Sequence, residues 1–507
     1  MSHAPGTGIG SGGRKRVGNA AGDRHEAGKR RLGWRLWPLL LAALPLTALR
    51  APAQTDETTY VRPQEPAVRA SLARWQGYKF GLLVHMGLYS ELGTVESWGL
   101  CPEDWVTRPG FDDYCQYAAN YRGTKARFNP VNFEPARWAQ AFKGSGARYV
   151  ITSTKHHDGF CLFDTKYTDF KVTDPGCPFS SDPRADVTRE VFAACRKEGL
   201  AVGAYFSKPD WTSPDFWWPA YPPKDRNPNY DITKHPDRWR RFIEYTHGQI
   251  AELTENYGPL DILWLDGCWV MPKSAVTEKV AEFCKYPYDL DIDMKTIAER
   301  ARRANPGLLV VDRWVQGQYE NYLTPEQKVP GQPLAVPWES CLTMGNAWGW
   351  VPNDHYKPGR ELIHLLVRIV AKGGNLLLGI GPNGKGEFEP AVYDRLERLG
   401  RWLAANGEAI YGTRPVAPYE EGPIAYTAKG AKTIYAIYLT KEGEASLPRD
   451  LDIRIGLEGR LRVTELATAT PLRYTRAGDG IRVILPAALR TGLAAREAVA
   501  IRITSDR

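Results

Sequence analysis

At 507 residues the chain exceeds what a single core usually organises, so two domains, or one large barrel with an appendage, are expected. The net charge of +8 would suit a nucleic-acid binder, but Arg14, Lys15, Arg16, Arg24, Lys29, Arg30, Arg31 and Arg35 all precede residue 36 and the remainder is close to neutral, which excludes that class. The 17 Trp and 25 Tyr are many for this length, and aromatic faces serve both large cores and the apolar faces of sugars.

The first 53 residues read as a signal peptide behind a long polar lead. Arg31 to Gln54 supplies basic residues, an apolar segment broken by Pro45, and the small-residue pattern Ala51-Pro52-Ala53, with cleavage expected after Ala53. An exported protein, periplasmic or secreted, follows, with no stable membrane span after cleavage. Eight cysteines in such a chain permit disulfides, yet no CxxC pair is present and their pairing cannot be read.

From about Tyr78 short apolar runs alternate with stretches of helical period. The runs are Phe80 to His85, Tyr149 to Thr154, Ala201 to Ser207, Asp261 to Gly267, Leu308 to Arg313 and Asn375 to Gly381, which read as buried parallel strands. Amphipathic helices are expected over Pro135 to Lys143, Thr188 to Glu198, Pro236 to Tyr257, Asp293 to Ala304 and Glu361 to Lys372. Their repetition predicts an α/β fold with a (β/α)8-like, TIM-type barrel over residues 58–413; an open doubly wound sheet is the alternative, and no GxGxxG fingerprint supports it. After Tyr411-Gly412-Thr413 the texture becomes alternating, in Thr433 to Leu439, Leu451 to Ile455, Leu461 to Leu466, Ile481 to Leu485 and Ala498 to Ile503. A C-terminal antiparallel β-sandwich over 414–507 is predicted.

In a barrel the C-terminal ends of the strands build the active site, so His85, Lys155, His156, His157, Ser207, Asp266 and Arg313 are expected to face one mouth. Lys155-His156-His157-Asp158 admits three readings: a metal site, a structural pair, or a clamp for a polar ligand. Neighbouring residues on a strand face opposite ways, and no HExxH, HxH or Cys-rich partner set accompanies the histidines, which disfavours metal. Asp266 ends the apolar run Asp261 to Gly267; a carboxylate there must be paired, hydrogen-bonded or functional, since desolvation otherwise costs several kcal/mol. Cleaving a glycosidic bond with retention needs one ionised carboxylate as nucleophile and a second carboxyl as acid/base, about 5 Å apart.

Four stretches, Lys79 to Ser90 (KFGLLVHMGLYS), Lys155 to Phe170 (KHHDGFCLFDTKYTDF), Asp261 to Gly267 (DILWLDG) and Gly374 to Gly386 (GNLLLGIGPNGKG), make the chain resemble the α-L-fucosidases of glycoside hydrolase family 29. One departure is Met86, where the family usually has Trp after the strand histidine. The resemblance implies a retaining exo-α-L-fucosidase acting through a covalent fucosyl-enzyme intermediate on fucosylated oligosaccharides or glycoconjugates, without cofactor or metal. It implies Asp266 as nucleophile; His85, His156 and His157 on sugar hydroxyls; Arg313 near the ring; and Tyr205, Trp348 and Trp350 as an aromatic wall. Glu103 with Trp105 resembles the family's Glu-Trp pair. Glu326, 60 residues after Asp266 and 13 after Arg313, is the acid/base candidate. Glu339, in an apolar strand-like segment, is its rival or else a structural or sugar-binding carboxylate, with Asp312 and Glu320 weaker choices. Asp158 is expected to orient the histidines from a turn. A related glycosidase for a fucose-like sugar, and a non-catalytic sugar-binding protein, are the competing readings.

Overall fold

The computed structural model describes residues 59–103, 106–108, 110–284 and 288–506. The expected signal peptide and its cleavage site lie outside the described residues.

Seven parallel strands, β1 (Phe80–Val84), β2 (Tyr149–Lys155), β3 (Ala201–Ser207), β4 (Ile262–Asp266), β5 (Leu309–Asp312), β6 (Glu339–Thr343) and β7 (Asn375–Ile380), form one sheet among the described residues, in the order β5-β4-β3-β2-β1-β7-β6. Sequence periodicity locates six of them to within a residue or two at each end. β6 is short and opens on Glu339, so it gives a weak apolar signal. Helices Pro135–Gly144, Val187–Lys197, Pro236–Asn256, Met294–Ala304 and Gly359–Ala371 occupy the stretches of helical period. Asp186 and Asp293 cap two of them, accepting from the amides of Arg189 and Thr296.

The two edge strands, β5 and β6, do not pair. Residues 319–327 fill the gap instead. The Asp312 amide donates to Tyr319 O and the Asn321 amide to Val310 O; the segment then turns and runs parallel to β6, where the Leu323 amide donates to Pro337 O and the Gln327 amide to Cys341 O. Seven regular strands and one irregular segment thus enclose the interior, which gives the expected TIM-like domain in this modified form.

Inside, strand alternation sets the lining. Leu83, Tyr149, Ile151, Tyr205, Ile262, Trp264, Leu309, Val311, Cys341 and Leu377 share one buried cluster, while residues of the other parity pack outward on the helices. The same parity brings Asp266, the last residue of β4, inward, and one step past β1 and β5 it brings His85 and Arg313. β2 breaks the rule with a bulge between Ser153 and Lys155. The bulge turns Lys155 outward, its ammonium 4.2 Å over the Phe206 ring and 3.3 Å from Asp210, and leaves the histidines to come in.

Downstream, β8 (Arg414–Glu421), β9 (Ile424–Lys429), β10 (Thr433–Leu439), β11 (Asp450–Arg454), β12 (Leu461–Glu465), β13 (Thr470–Pro471), β14 (Arg473–Ala477), β15 (Gly480–Ile484) and β16 (Ala498–Ser505) build two antiparallel sheets, β13-β12-β16-β10-β9-β8 and β11-β15-β14. Their inner faces share a separate core that includes Tyr426, Ile453, Val483 and Ile501. The sandwich is tied to the barrel by Trp402 Nε1, which donates to Ala498 O at 2.9 Å, and by His364 Nε2, 2.7 Å from Glu497 O. Among the described residues no helix is long and apolar enough to cross a membrane. The cysteines whose state is described are free thiols, so the disulfides the composition permits do not form among them.

Close packing of the barrel floor depends on Gly81. A Cβ there would lie 2.3 Å from the Tyr149 ring, which is fully buried and crosses the interior. Gly81→Ala is expected to lower unfolding free energy by about 1–3 kcal/mol, the usual cost of overpacking; denaturant unfolding of the two proteins checks this.

Candidate active site

The mouth of the barrel gathers most of the polar residues expected there. Asp266, the last residue of β4, accepts from Arg313 Nη1 at 2.8 Å on Oδ1 and from the Tyr205 hydroxyl at 2.7 Å on Oδ2. His157 Nε2 stands 3.8 Å from the same Oδ2. The other terminal nitrogen of Arg313 donates to Glu326 Oε2 at 2.7 Å, and its Nε to Thr324 Oγ1 at 3.1 Å. One guanidinium therefore bridges two carboxylates, with its plane 4.4 Å over the Trp264 ring. Glu326 reaches this place because it lies on the irregular segment that closes the barrel, opposite Cys341 of β6.

Three histidines form the opposite side of the constellation. His85 packs edge-on against Tyr205 at 5.1 Å and against His156 at 5.8 Å, with Trp348 at 5.5 Å. Its Nδ1 is buried and has no hydrogen-bond partner in the protein, which marks it for a ligand. His156 Nδ1 is 2.5 Å from Ser97 Oγ. His157 Nδ1 is 2.7 Å from Ser207 Oγ, whose own proton is given to Pro209 O at 2.7 Å. Ser207 must then accept from His157, so the proton of neutral His157 sits on Nδ1 and the lone pair of Nε2 is left open to an outside donor.

Electrostatics separate the two sides. Burial pushes His157 down to about 4, against the pull of Asp266, and holds His85 and His156 well below the usual imidazole value, each helped by a neighbouring histidine. Burial works to raise Asp266 too, but the charge of Arg313, with His157 and the Tyr205 hydroxyl, outweighs it and keeps the carboxyl well below the usual range. The site at neutral pH holds neutral imidazoles beside an ionised aspartate.

Some expectations land elsewhere. Glu339 is the first residue of β6 and lies at the barrel floor, fully buried; Tyr149 OH donates to its Oε2 at 2.6 Å and Trp264 Nε1 to its Oε1 at 3.3 Å. Trp264 stands between it and Arg313, so the structure does not bring it to the mouth as either an acid/base or a sugar ligand. Trp350 ties its indole to Glu389 at 2.8 Å rather than to the histidines. Lys155 faces the helices. Asp312 pairs with buried Lys208 at 2.5 Å, and Glu320 caps the Trp314 amide at 2.9 Å. Asp158 accepts from Tyr121 OH at 2.7 Å and from the Phe160 amide, which fixes the turn after β2 without touching a histidine.

Sequence reasoning missed two groups. Glu96, at φ +39°, accepts from the amides of both Trp348 and Gly349 at 2.8 Å and so holds that aromatic segment beside His85. Burial pushes it up to about 7 despite these bonds. Trp98, Trp211 and Trp269 form a collar around His157, with ring centroids 5.2, 5.1 and 5.0 Å away. Arg226 packs on Trp98 and Trp269 and pairs with Glu103 at 2.6 Å, so Glu103 braces the collar. Trp105 lies outside the described residues. A glutamate two residues before Trp98 was the only available signal. Among the described residues no group of three His, Cys, Asp or Glu side chains is arranged to hold a metal ion.

Known proteins resemble the chain in sequence and fold over most of its length. The family model described as α-L-fucosidase matches residues 47–408. The plasma α-L-fucosidase of Rattus norvegicus is 29% identical over 89% of this chain and 95% of its own length. Among solved structures, α-L-fucosidase isoenzyme 1 from Paenibacillus thiaminolyticus superposes with a TM-score of 0.69 at 31% identity, over 87% of this chain and all of that one. The Thermotoga maritima α-fucosidase in complex with fucose gives a TM-score of 0.64 at 27% identity, over 85% of this chain and 96% of that one.

Removing the bridging cation should expose what it holds in place. Arg313→Gln is expected to cost roughly 3 kcal/mol at pH 7, the low end for breaking a buried pair because Asp266 keeps a fifth of its side chain in solvent. Without Arg313 the Asp266 carboxyl loses the charge that offsets its burial and rises from its depressed value. The loss is then largest at neutral pH and shrinks as pH falls through that raised value and the carboxyl takes up a proton. Urea unfolding of both proteins at pH 7 and pH 4.5 measures the difference.

Proposed function

Since this chain belongs to the α-L-fucosidase family of glycoside hydrolases, we propose that it is a retaining exo-α-L-fucosidase in which Asp266 is the nucleophile and Glu326 the acid/base. The observation that carries this reading is the single guanidinium of Arg313 shared between the two carboxylates at the mouth. Both nitrogens of one planar fork hold a carboxylate, which supports the short separation, about 5 Å, of a retaining pair over the wider inverting one.

In this reading the ionised Asp266 attacks the anomeric carbon while Glu326 protonates the departing glycosidic oxygen. A covalent fucosyl-enzyme forms, and Glu326, now a carboxylate, takes a proton from the water that hydrolyses it. The free Nδ1 of His85 and the acceptor Nε2 of His157 bind hydroxyls, and His156 completes the clamp. Tyr205 and Trp348 supply the wall for the apolar face of the sugar, a role for which Trp350 is less well placed. The partner is a fucosylated oligosaccharide or glycoconjugate, and the chemistry needs no cofactor. The catalytic domain runs over 58–413, and the sandwich over 414–507 braces the barrel. The leader in residues 1–53 directs export to the periplasm or the medium.

Asp266→Gly is expected to lose nearly all turnover of an aryl α-L-fucoside, and azide to restore it with β-fucosyl azide as product. Glu326→Ala is expected to lose about 10²–10⁴-fold on substrates with poor leaving groups, with azide giving the α-fucosyl azide. Unchanged turnover in Asp266→Gly sinks the assignment. In the native enzyme, KM for the same fucoside is expected to stay flat from pH 7 to 5. It should rise as pH falls through about 4, where His157 is protonated and Nε2 no longer accepts a hydroxyl proton.

A further inference from the structure

The barrel floor holds a buried polar group that the reaction itself does not use. Glu339 is fully buried on β6, and its two oxygens are occupied by Tyr149 OH at 2.6 Å and Trp264 Nε1 at 3.3 Å. Burial pushes the carboxyl up to about 7. A wholly buried carboxyl hydrogen-bonded only to neutral donors, with the Arg313 charge acting on it from beyond Trp264, costs stability that an apolar residue in its place would not, so its presence calls for a reason.

Trp264 supplies one. Its indole packs against both groups that hold Asp266: the Arg313 guanidinium carbon lies 4.4 Å over the ring, and the Tyr205 ring lies 5.4 Å away at a tilt of 31°. Arg313 in turn holds Glu326. A buried indole with its N–H anchored has one orientation; without an acceptor it carries an orphaned donor and is free to rock. A small rotation of that ring would shift Arg313 and Tyr205 together, and displacements of about 1 Å at a reacting centre cost on the order of 10²-fold in rate. Gly81 belongs to the same arrangement, because only a glycine there lets the Tyr149 ring cross to Glu339.

We propose that Glu339 is a positioning residue: by fixing the Trp264 indole from below, it sets Arg313 and Tyr205, and through them the placement of Asp266 against Glu326. The proposal rests on the assignment of Asp266 and Glu326 above. It takes Glu339 off the sugar and makes it act on the rate of the chemical step while leaving substrate affinity alone.

The test compares kcat and KM on an aryl α-L-fucoside for Glu339→Leu, Glu339→Gln, Trp264→Phe and the double variant Glu339→Leu/Trp264→Phe, each checked for native thermal unfolding. Glu339→Leu and Trp264→Phe are each expected to lower kcat at least 10-fold with KM within twofold. Glu339→Gln, whose amide oxygen still accepts from the indole, should stay within about threefold of the native kcat. The double variant should be no slower than the worse single one, since both break the same contact. Multiplicative losses in the double variant, or a rise in KM at unchanged kcat, overturn the proposal. If Glu339→Leu does not fold, Trp264→Phe decides: native kcat in that variant overturns the proposal too. Azide rescue of Asp266→Gly, run alongside, separates the two levels. Its absence overturns the assignment of the site, whereas rescue together with native kcat in Trp264→Phe overturns only the role of Glu339.

Discussion

A cation buried between two carboxylates is the constraint on which the mouth of this barrel depends. Arg313 is only 7% exposed at its side chain, and a guanidinium in that position is tolerable only if its donors are met. Asp266, Glu326 and Thr324 meet them, and the Trp264 ring covers its face. The benefit is mutual: two like charges brought to one mouth repel strongly in a low dielectric, and the shared cation offsets that repulsion. Next to it the Lys208–Asp312 pair bonds across from β3 to β5, while the Lys208 amide donates to Asp266 O at 2.9 Å, so the backbone of the aspartate is held as firmly as its side chain.

That arrangement requires a carboxylate on the eighth position of the barrel, and a regular strand does not provide it. The segment 319–327 pairs antiparallel to β5 and then parallel to β6, reversing direction within a few residues. It closes the sheet without the alternation of a strand and lifts Glu326 to the mouth. The departure from an ideal (β/α)8 barrel and the placement of the proposed acid/base are thus one structural fact.

Burial acts on the three histidines and on four carboxyls in and around the site, and the partner decides the result. It pushes the histidines toward their neutral form and the carboxyls of Glu96, Asp158 and Glu339 up to about 7. Each of these carboxyls is supported mainly by neutral donors. Asp266 is subject to the same burial but faces Arg313, and it alone among them is held well below the usual range. A neutral imidazole and an ionised carboxylate can therefore stand within 4 Å of each other.

Hydrophobic periodicity was enough to place six of the seven regular strands and the helices between them, because alternation and helical period are imposed locally by which face is buried. It also ordered His85, Asp266 and Arg313 onto one end, since the parallel strands of a barrel all finish at the same face. The same argument brought His156 and His157 there, and the family motifs added their expected role on sugar hydroxyls. What lies between strands was not legible. The bulge in β2 that turns Lys155 out and the tryptophan collar around His157 arise from pairings between residues tens of positions apart, and the irregular segment that carries Glu326 from bridges to β5 and β6 on either side of it. Glu339 shows the limit most clearly. Its neighbours in sequence mark it as a conspicuous acid in an apolar strand, and only the register of β6, which starts at Glu339, decides that it faces the floor, where its hydrogen bonds are made to side chains 190 and 75 residues away.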